Sequence, residues 1–334
     1  MKSRQTSLIW LAFVFLACGP DGRFKFDFKR HEGMRWFKGN THTHTTMSDG
    51  DSSPEIVAQW YKDHGYNFLV LSDHNVFTDP ATLASLVDAK FLLIPGEELT
   101  TKFLTKPVHV NGLNLSGKIA PKIDLSLVGT IQKNVDAVRE ANGIPHLNHP
   151  NFQWAITPQD LLQINNDKLL EIFNGHPHAN NFGGGGWPGM EQVWDHLLTN
   201  GKEIYGIAVD DAHHFQGEFA PERSNPGRGW VVVRAPNLEA RTIVENLDKG
   251  LFYASTGVEL DEIILTPEQI EIHIAKDGEF KFRTEFIGSG GKILLHADTN
   301  PAIYKLAGDE QYVRAKVYDS AGFVAWTQPV FVQR

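Results

Sequence analysis

Between about residues 34 and 256 the chain alternates short apolar, β-branched runs with stretches that carry helix start and stop signals. "RWFKGNTH", "NFLVLSDH", "AKFLLIPGEEL", "IPHLNH", "KLLEIFNG" and "EIYGIAVDD" read as strands. "SSPEIVAQWYKDHGYN" reads as a helix with Ser53 as N-cap, Pro54 in the first turn, and Ile56, Val57, Trp60 and Tyr61 on one face. "LVGTIQKNVDAVREANG" is a helix closed by Gly143, "TPQDLLQI" opens a helix capped by Thr157, and "GMEQVWDHLLTNG" is another. "GWVVVRA", "NLEARTIVENLDKG" and "LFYASTG" continue the alternation. Repeated strand–helix units of this size predict an α/β domain built as a parallel barrel or a doubly wound sheet. With 334 residues, 41% of them hydrophobic, the chain can bury one large core and a small extra domain.

From about residue 257 the period changes. "EQIEIHIAK", "FKFRTEF", "KILLHAD", "YVRAKVYDSAG" and "VAWTQPVFVQ" alternate with period two between turn residues. They predict a small C-terminal antiparallel β-sandwich over 257–334. At the other end, "MKSRQTSLIWLAFVFLAC" has a basic start (Lys2, Arg4) and an apolar run from Leu8 to Ala17 too short to span a bilayer. It reads as a lipoprotein signal over 1–18 with Cys18 acylated, followed by a leader over 19–33. The expected destination is the cell envelope, periplasmic or surface side, held to the membrane by a lipid anchor. Cys18 is the single cysteine, which rules out an intramolecular disulfide. A net charge of -9 argues against a nucleic-acid partner, so an anionic substrate must be met locally, by bound cations or a few placed Arg and Lys residues.

Of 15 histidines, only His273 and His296 lie beyond residue 214, so the histidines belong to the first domain. The chemically capable ones fall at predicted strand ends. His42 and His44, one residue apart, share a face of an extended segment and can chelate one ion. "SDH" presents His74, "GEE" presents Glu97 or Glu98, "VHVNGLN" presents His109, "LNHP" presents His149, and "VDDAHH" presents Asp210 or Asp211 with His213. Asp49 follows closely on the first pair. Each residue alone is unremarkable in a polar loop; six histidines and three carboxylates together at strand ends predict a metal centre. Nitrogen and oxygen donors without sulfur suit Zn, Mn or Fe. No serine nucleophile elbow, phosphate loop or dinucleotide fingerprint competes with this set.

The strings "NTHTHTTMSDG", "LVLSDHN", "IPGEE", "HVNG", "LNHPN" and "VDDAHH" resemble, in order and spacing, the motifs of the PHP (polymerase and histidinol phosphatase) superfamily of metal-dependent phosphoesterases. "YKDHGYNFLVLSDHN", "GIAVDDAHH", "GWVVVRA" and "LFYASTG" resemble its CehA/McbA-like branch, named for a carbaryl hydrolase. The resemblance covers roughly residues 34 to 260 and implies a distorted (β/α)7 barrel with two or three divalent ions. It implies His42, His44, Glu97 and Asp211 on the first ion, with Glu97 bridging to a second completed by His109 and His149. Asp49, His74 and His213 would hold a third; many relatives have histidine where this chain has Asp49. Asp211 is preferred to Asp210 because it alone forms Asp-x-His with His213. His146 is expected behind the ligands. The implied chemistry is hydrolysis by a metal-activated water, served by Asp211, Glu97 and His213, with Arg228, and less so Arg223, gripping a small anionic ester.

Asp73 could orient a ligand ring or cap a turn. "GHPHANNFGGGGWPGM" would suit a flexible substrate-covering loop, and Lys102 and Lys106 read as solvated. A phosphoester is the first substrate class. A carboxylic ester or carbamate cleaved by the same site is the alternative, and a non-catalytic glycan- or partner-binding lipoprotein is the third reading.

Overall fold

The computed structural model describes residues 33–275 and 278–331. The signal segment with Cys18, and the leader up to residue 32, lie outside the described residues. In chain order the elements are β1 (Arg35–Asn40), α1 (Pro54–Asp63), β2 (Phe68–Val70), β3 (Leu92–Ile94), β4 (Gly96–Phe103), β5 (Lys106–Leu113), α2 (Leu127–Glu140), β6 (Ile144–Leu147), α3 (Pro158–Leu162), β7 (Leu169–Asn174), α4 (Met190–Thr199), β8 (Tyr205–Val209), β9 (Trp230–Ala235), α5 (Ala240–Asp248) and β10 (Phe252–Ser255). There follow β11 (Leu260–Leu265), β12 (Gln269–Ile274), β13 (Phe282–Gly288), β14 (Lys292–Ala297), β15 (Ala302–Lys305), β16 (Tyr312–Asp319), β17 (Val324–Thr327) and β18 (Val330–Phe331).

The helices start where their caps predict. Ser53 accepts from Ile56 N at the head of α1, and Thr157 and Asp160 form a reciprocal capping box at α3. The buried face of α1 is Val57, Ala58 and Tyr61, whereas Ile56 is exposed, so the predicted face is rotated by about one position.

Two sheets face each other around a shared core. One runs β9-β1-β2-β3 at its inner end; the other is β4-β5-β6-β7-β8. Phe37, Phe68, Val70 and Ile94 from the first meet Leu113, Leu169, Ile207 and Val209 from the second. Helices α2, α3 and α4 cover the outside of the second sheet through Ile131, Val135, Leu161 and Trp194. Helix α5 closes one end of the enclosure, where Ile243, Val244 and Leu247 join the core between the sheets. At the opposite end, parallel bridges Thr43–Ala212 and His74–Glu98 stitch the strand ends of the two sheets together.

The architecture is mixed α/β rather than a uniform strand–helix alternation. "AKFLLIPGEEL" is not one strand but two, because Pro95 has no N–H to donate and separates β3 from β4. β4 then turns back on β5 as an antiparallel hairpin through Leu104, whose φ is 55°. β9 is antiparallel to β1, and β10 to β9.

The expected boundary near residue 257 is not a gap between sheets. β17 pairs with β10, so β14-β13-β16-β17 continue the first sheet without interruption. The three-stranded sheet β11-β12-β15 packs against this extension, with Ile270, Ile272 and Ile274 in one core with Phe286, Val313 and Val317. A buried Arg314 reaches back to α4, donating Nε and Nη2 to the two carboxylate oxygens of Asp195 at 2.8 and 2.7 Å.

Candidate metal centre

Strand ends converge at the end opposite α5. His42 and His44 lie just past β1, in an extended segment paired to the chain beyond β8. Asp211 N donates to His42 O and His44 N donates to Ala212 O, both at 2.9 Å. That pairing holds the one-residue alternation past the end of the strand, so both rings reach the same Asp211. Its Oδ1 lies 3.3 Å from His42 Nε2 and 3.1 Å from His44 Nε2. Glu98 projects from β4 towards His109 on β5 (2.9 Å to Nδ1), and His149 Nε2 lies 3.7 Å away. On the outer side, Asp49 approaches His74 Nε2 at 3.5 Å and His213 Nε2 at 3.4 Å. Gly50 makes that approach possible, since a Cβ there would sit 2.7 Å from His44 O.

Four overlapping groups bring candidate ligand atoms within reach of one ion: His42, His44 and Asp211; His42, Glu98 and His149; His74, Glu98 and His109; and His44, Asp49, His74 and His213. The donor set fits a metal on its own chemistry. His42 Nε2 and His44 Nε2 face each other at 3.1 Å, and the buried Glu98 Oε2 lies 2.5 Å from His74 Nδ1 and 3.6 Å from His44 Nε2, so a carboxylate oxygen is ringed by imidazole nitrogens. The opposite ring nitrogens are already committed: His42 Nδ1 to Glu171 Oε1 at 2.7 Å, and His213 Nδ1 to the Asp211 carbonyl at 2.9 Å. Such contacts fix the tautomer and aim the free nitrogen.

The electrostatics follow from burial of opposite charges. Burial alone would raise the carboxyls, but His109, His74 and His42 hold Glu98 well below the usual carboxylate range. His42, His44 and His213 do the same for Asp211. Burial would lower the imidazoles, yet Asp211, Glu171 and Glu98 lift His42 well above its ordinary value, and Glu98 and Asp49 lift His74 to about 10. Asp211 (φ 49°) and His149 (φ 23°) both hold left-handed backbone, a strain of about 1–3 kcal/mol at such residues.

Several expectations are corrected. Glu98, not Glu97, enters the cluster. Alternation on β4 sends Glu97 to the other face, where its carboxylate accepts from Ile119 N. The second group expected for Glu97, His109 and His149 is therefore divided: Glu98 joins His109 to His74, and His149 to His42. Of the two aspartates, Asp211 faces the histidines. Asp210 accepts from Gly227, Arg228 and Gly229 N–H groups at 2.9, 2.6 and 2.9 Å and from Tyr61 Oη at 2.8 Å.

Arg228 does not line the recess over the cluster. Its guanidinium donates to the carbonyls of Gly175 (2.9 Å) and Ala220 (2.6 Å). Arg223 reaches Gln216 O and Asp51. Lys102 and Lys106 sit exposed at the tip of the β4–β5 hairpin. Asp73 caps a turn, accepting from Thr45 N (2.7 Å), Thr45 Oγ1 (2.8 Å) and Ser48 Oγ (2.8 Å). His146 is fully buried against the carbonyl of Thr41, behind His42, and burial lowers it to about 4. The loop 175–189 is pinned rather than loose: Asn181 bonds Asn174 in both directions, and Asn151 holds the carbonyls of Asn180 and Pro188.

Sequence reasoning missed four residues. Glu171 receives His42 Nδ1, His149 N and Asn174 Nδ2, the last two at 2.7 and 2.9 Å. Its signal is a carboxylate inside the otherwise apolar run "LLEIF", where a charge is rarely left unpaired. Asn148 donates to Glu98 Oε1 and Asn111 Oδ1, and Asn174 to Asp211 Oδ2. His176 lines the recess with Phe152, Ala179 and His213. Burial is the largest influence on its ring, and it stands lowered to about 4.

No family model matches the chain. It is 37% identical over 89 residues to a 5'-3' exoribonuclease of Haemophilus influenzae, a stretch that is 26% of this chain and 31% of that protein. The chain thus spans about a third of the curated relative it matches. In fold it is similar to a two-domain protein of Bacteroides vulgatus containing a predicted PHP-like metal-dependent phosphoesterase. The TM-score is 0.52 at 17% identity, covering 94% of this chain and 91% of that one.

Proposed function

We propose that this chain is a metal-dependent hydrolase of the PHP superfamily, of its CehA/McbA-like branch, that cleaves ester bonds of small molecules, phosphoesters first. The observation that carries the reading is the convergence of His42, His44, Asp49, His74, Glu98, His109, His149, Asp211 and His213 into overlapping groups, with ring nitrogens facing one another. These residues would hold two or three divalent ions (Zn, Mn or Fe), with Glu98 shared between two groups. When bound, such ions supply Lewis acidity and lower the pKa of a coordinated water. The chain's own part is orientation. Glu171 holds His42, Asn174 ties Glu171 to Asp211, and Asn148 fixes the shared carboxylate. We assign the protein to the cell envelope, anchored through Cys18, with the barrel-like part as a distorted (β/α)7 relative and the C-terminal sheets as its sandwich.

A specific observation favours a second substrate class. Arg228 is occupied by carbonyls, and among the described residues no Arg or Lys lines the recess. A neutral carboxylic ester or carbamate therefore suits this site as well as a phosphate does. The exoribonuclease likeness places nucleotide phosphodiesters in the test panel, although a net charge of -9 does not favour a long polyanion.

The test uses the chain lacking residues 1 to 18. Its metal content is measured, and aryl phosphates, diesters and carboxylic esters are assayed with Mn or Zn. Bound metal, together with turnover lost in Asp211→Asn and His42→Ala, is expected. Little metal, or turnover indifferent to both substitutions, would sink the proposal, and turnover of carboxylic esters alone would install the second substrate class.

A further inference from the structure

His176 is the one histidine of the recess that belongs to none of the four candidate ligand groups. Its ring packs edge-on against His213 at 5.5 Å and Phe152 at 6.5 Å between centroids. The backbone N–H of His178 donates to its Nδ1 at 3.1 Å. A nitrogen that accepts carries no hydrogen, so in the neutral ring the proton sits on Nε2. Among the described residues, that Nε2–H has no hydrogen-bond partner.

The residue is held rather than hung. His176 N donates to Asn174 Oδ1 at 2.8 Å, and the same Asn174 donates to Asp211 Oδ2 at 3.1 Å. Gly175 is clamped from both sides: its N–H goes to Val209 O at 2.9 Å, and its carbonyl takes Arg228 Nη1 at 2.9 Å. The clamp requires glycine, since a Cβ there would lie 2.8 Å from Asp210 O and 2.9 Å from Arg228 Cβ. Arg228 thus acts on the recess indirectly, by fixing the residue that precedes His176.

We propose that His176 is a substrate-positioning residue whose Nε2–H donates to an oxygen of the bound ester or its anionic product, supplying the directional contact expected of Arg228. This rests on the hydrolase reading above. A hydrogen bond to a charged oxygen is worth roughly ten- to hundredfold in affinity.

The test measures inorganic phosphate binding to metal-loaded protein by competitive inhibition and calorimetry. His176→Ala should weaken phosphate by roughly ten- to hundredfold with bound metal unchanged, and should raise KM more than it lowers kcat. His176→Gln, whose amide can donate, should recover most of the loss. Ring nitrogen NMR of the intact protein should show Nδ1 unprotonated and Nε2 protonated. The proposal is overturned by unchanged phosphate affinity in His176→Ala, by loss of metal in that variant, by no rescue in His176→Gln, or by the opposite tautomer. If metal-loaded wild type binds no phosphate and turns over no ester, the hydrolase reading has failed and this proposal fails with it. If wild type binds phosphate and His176→Ala binds it equally, this proposal alone has failed.

Discussion

Glu97 and Glu98 are neighbours, yet the structure gives them opposite faces of β4, and a pair of substitutions separates them. Glu98→Gln keeps the shape and removes the charge that the groups around His42/His149 and His74/His109 share. Losing a group that merely supports a metal ligand typically costs roughly ten- to hundredfold in metal affinity, and losing a ligand's own charge costs at least as much. Each of the two ions that would use Glu98 should therefore bind roughly ten- to hundredfold more weakly. Glu97→Gln retains an oxygen to accept from Ile119 N, and should leave metal affinity within about threefold. The assay is calorimetric titration of Mn or Zn into chelator-treated protein, with circular dichroism melts to verify that both variants fold. If Glu97→Gln loses metal while Glu98→Gln keeps it, the assignment of faces on β4 is refuted.

The Asp210 and Asp211 pair should divide in the same manner. Asp210→Ala strands three backbone N–H groups and should cost about 3 kcal/mol or more of stability, read by thermal or urea unfolding, whereas Asp211→Asn should fold normally and bind less metal. Metal binding should release protons at neutral pH. In the chelated protein His74 stands near 10, so it is protonated there and must deprotonate to coordinate. Titration in buffers of different ionisation enthalpy counts those protons, and affinity should fall as pH falls. For the chelated protein the raised His74 contributes stability that is complete below about 6.5 and is lost as pH rises through about 10, a slope that saturating metal should abolish. Asp195→Ala, which leaves the buried Arg314 without its bidentate partner, should destabilise by about 3–5 kcal/mol in equilibrium unfolding.

Much of the site was legible because ligand chemistry leaves short-range marks. His42-x-His44 and Asp211-x-His213 declare a shared face through spacing alone, and the histidine bias to the first domain shows where they serve. The choice within "GEE" was not legible, since it depends on where Pro95 ends β3 and on which residue of β4 pairs across the hairpin with β5. Arg228 was misread for a related reason. Its charge is visible in sequence, but the carbonyls of Gly175 and Ala220 that occupy it come from distant loops. Glu171 and Asn174 act through other side chains, and only tertiary contact reveals such roles. In the fold, capped helices were read well. The antiparallel pairing of β9 and β10 was not, because apolar runs buried on both faces look alike in either direction.

The unbroken run of strands from β14 through β17 and β10 to β1 bears on how this protein can be handled and inherited. A cut after Gly257 would not release a finished first domain. It would bare the edge of β10 and strip Val313, Ala315 and Val317 from the apolar cluster that also holds Tyr61 and Leu69. Bared edges of this kind recruit other chains. The C-terminal region therefore behaves as the outer wall of the same building rather than an annexe. A truncated gene product should aggregate, the whole chain should melt in one transition, and grafting this histidine–carboxylate cluster elsewhere would require carrying the C-terminal strands along.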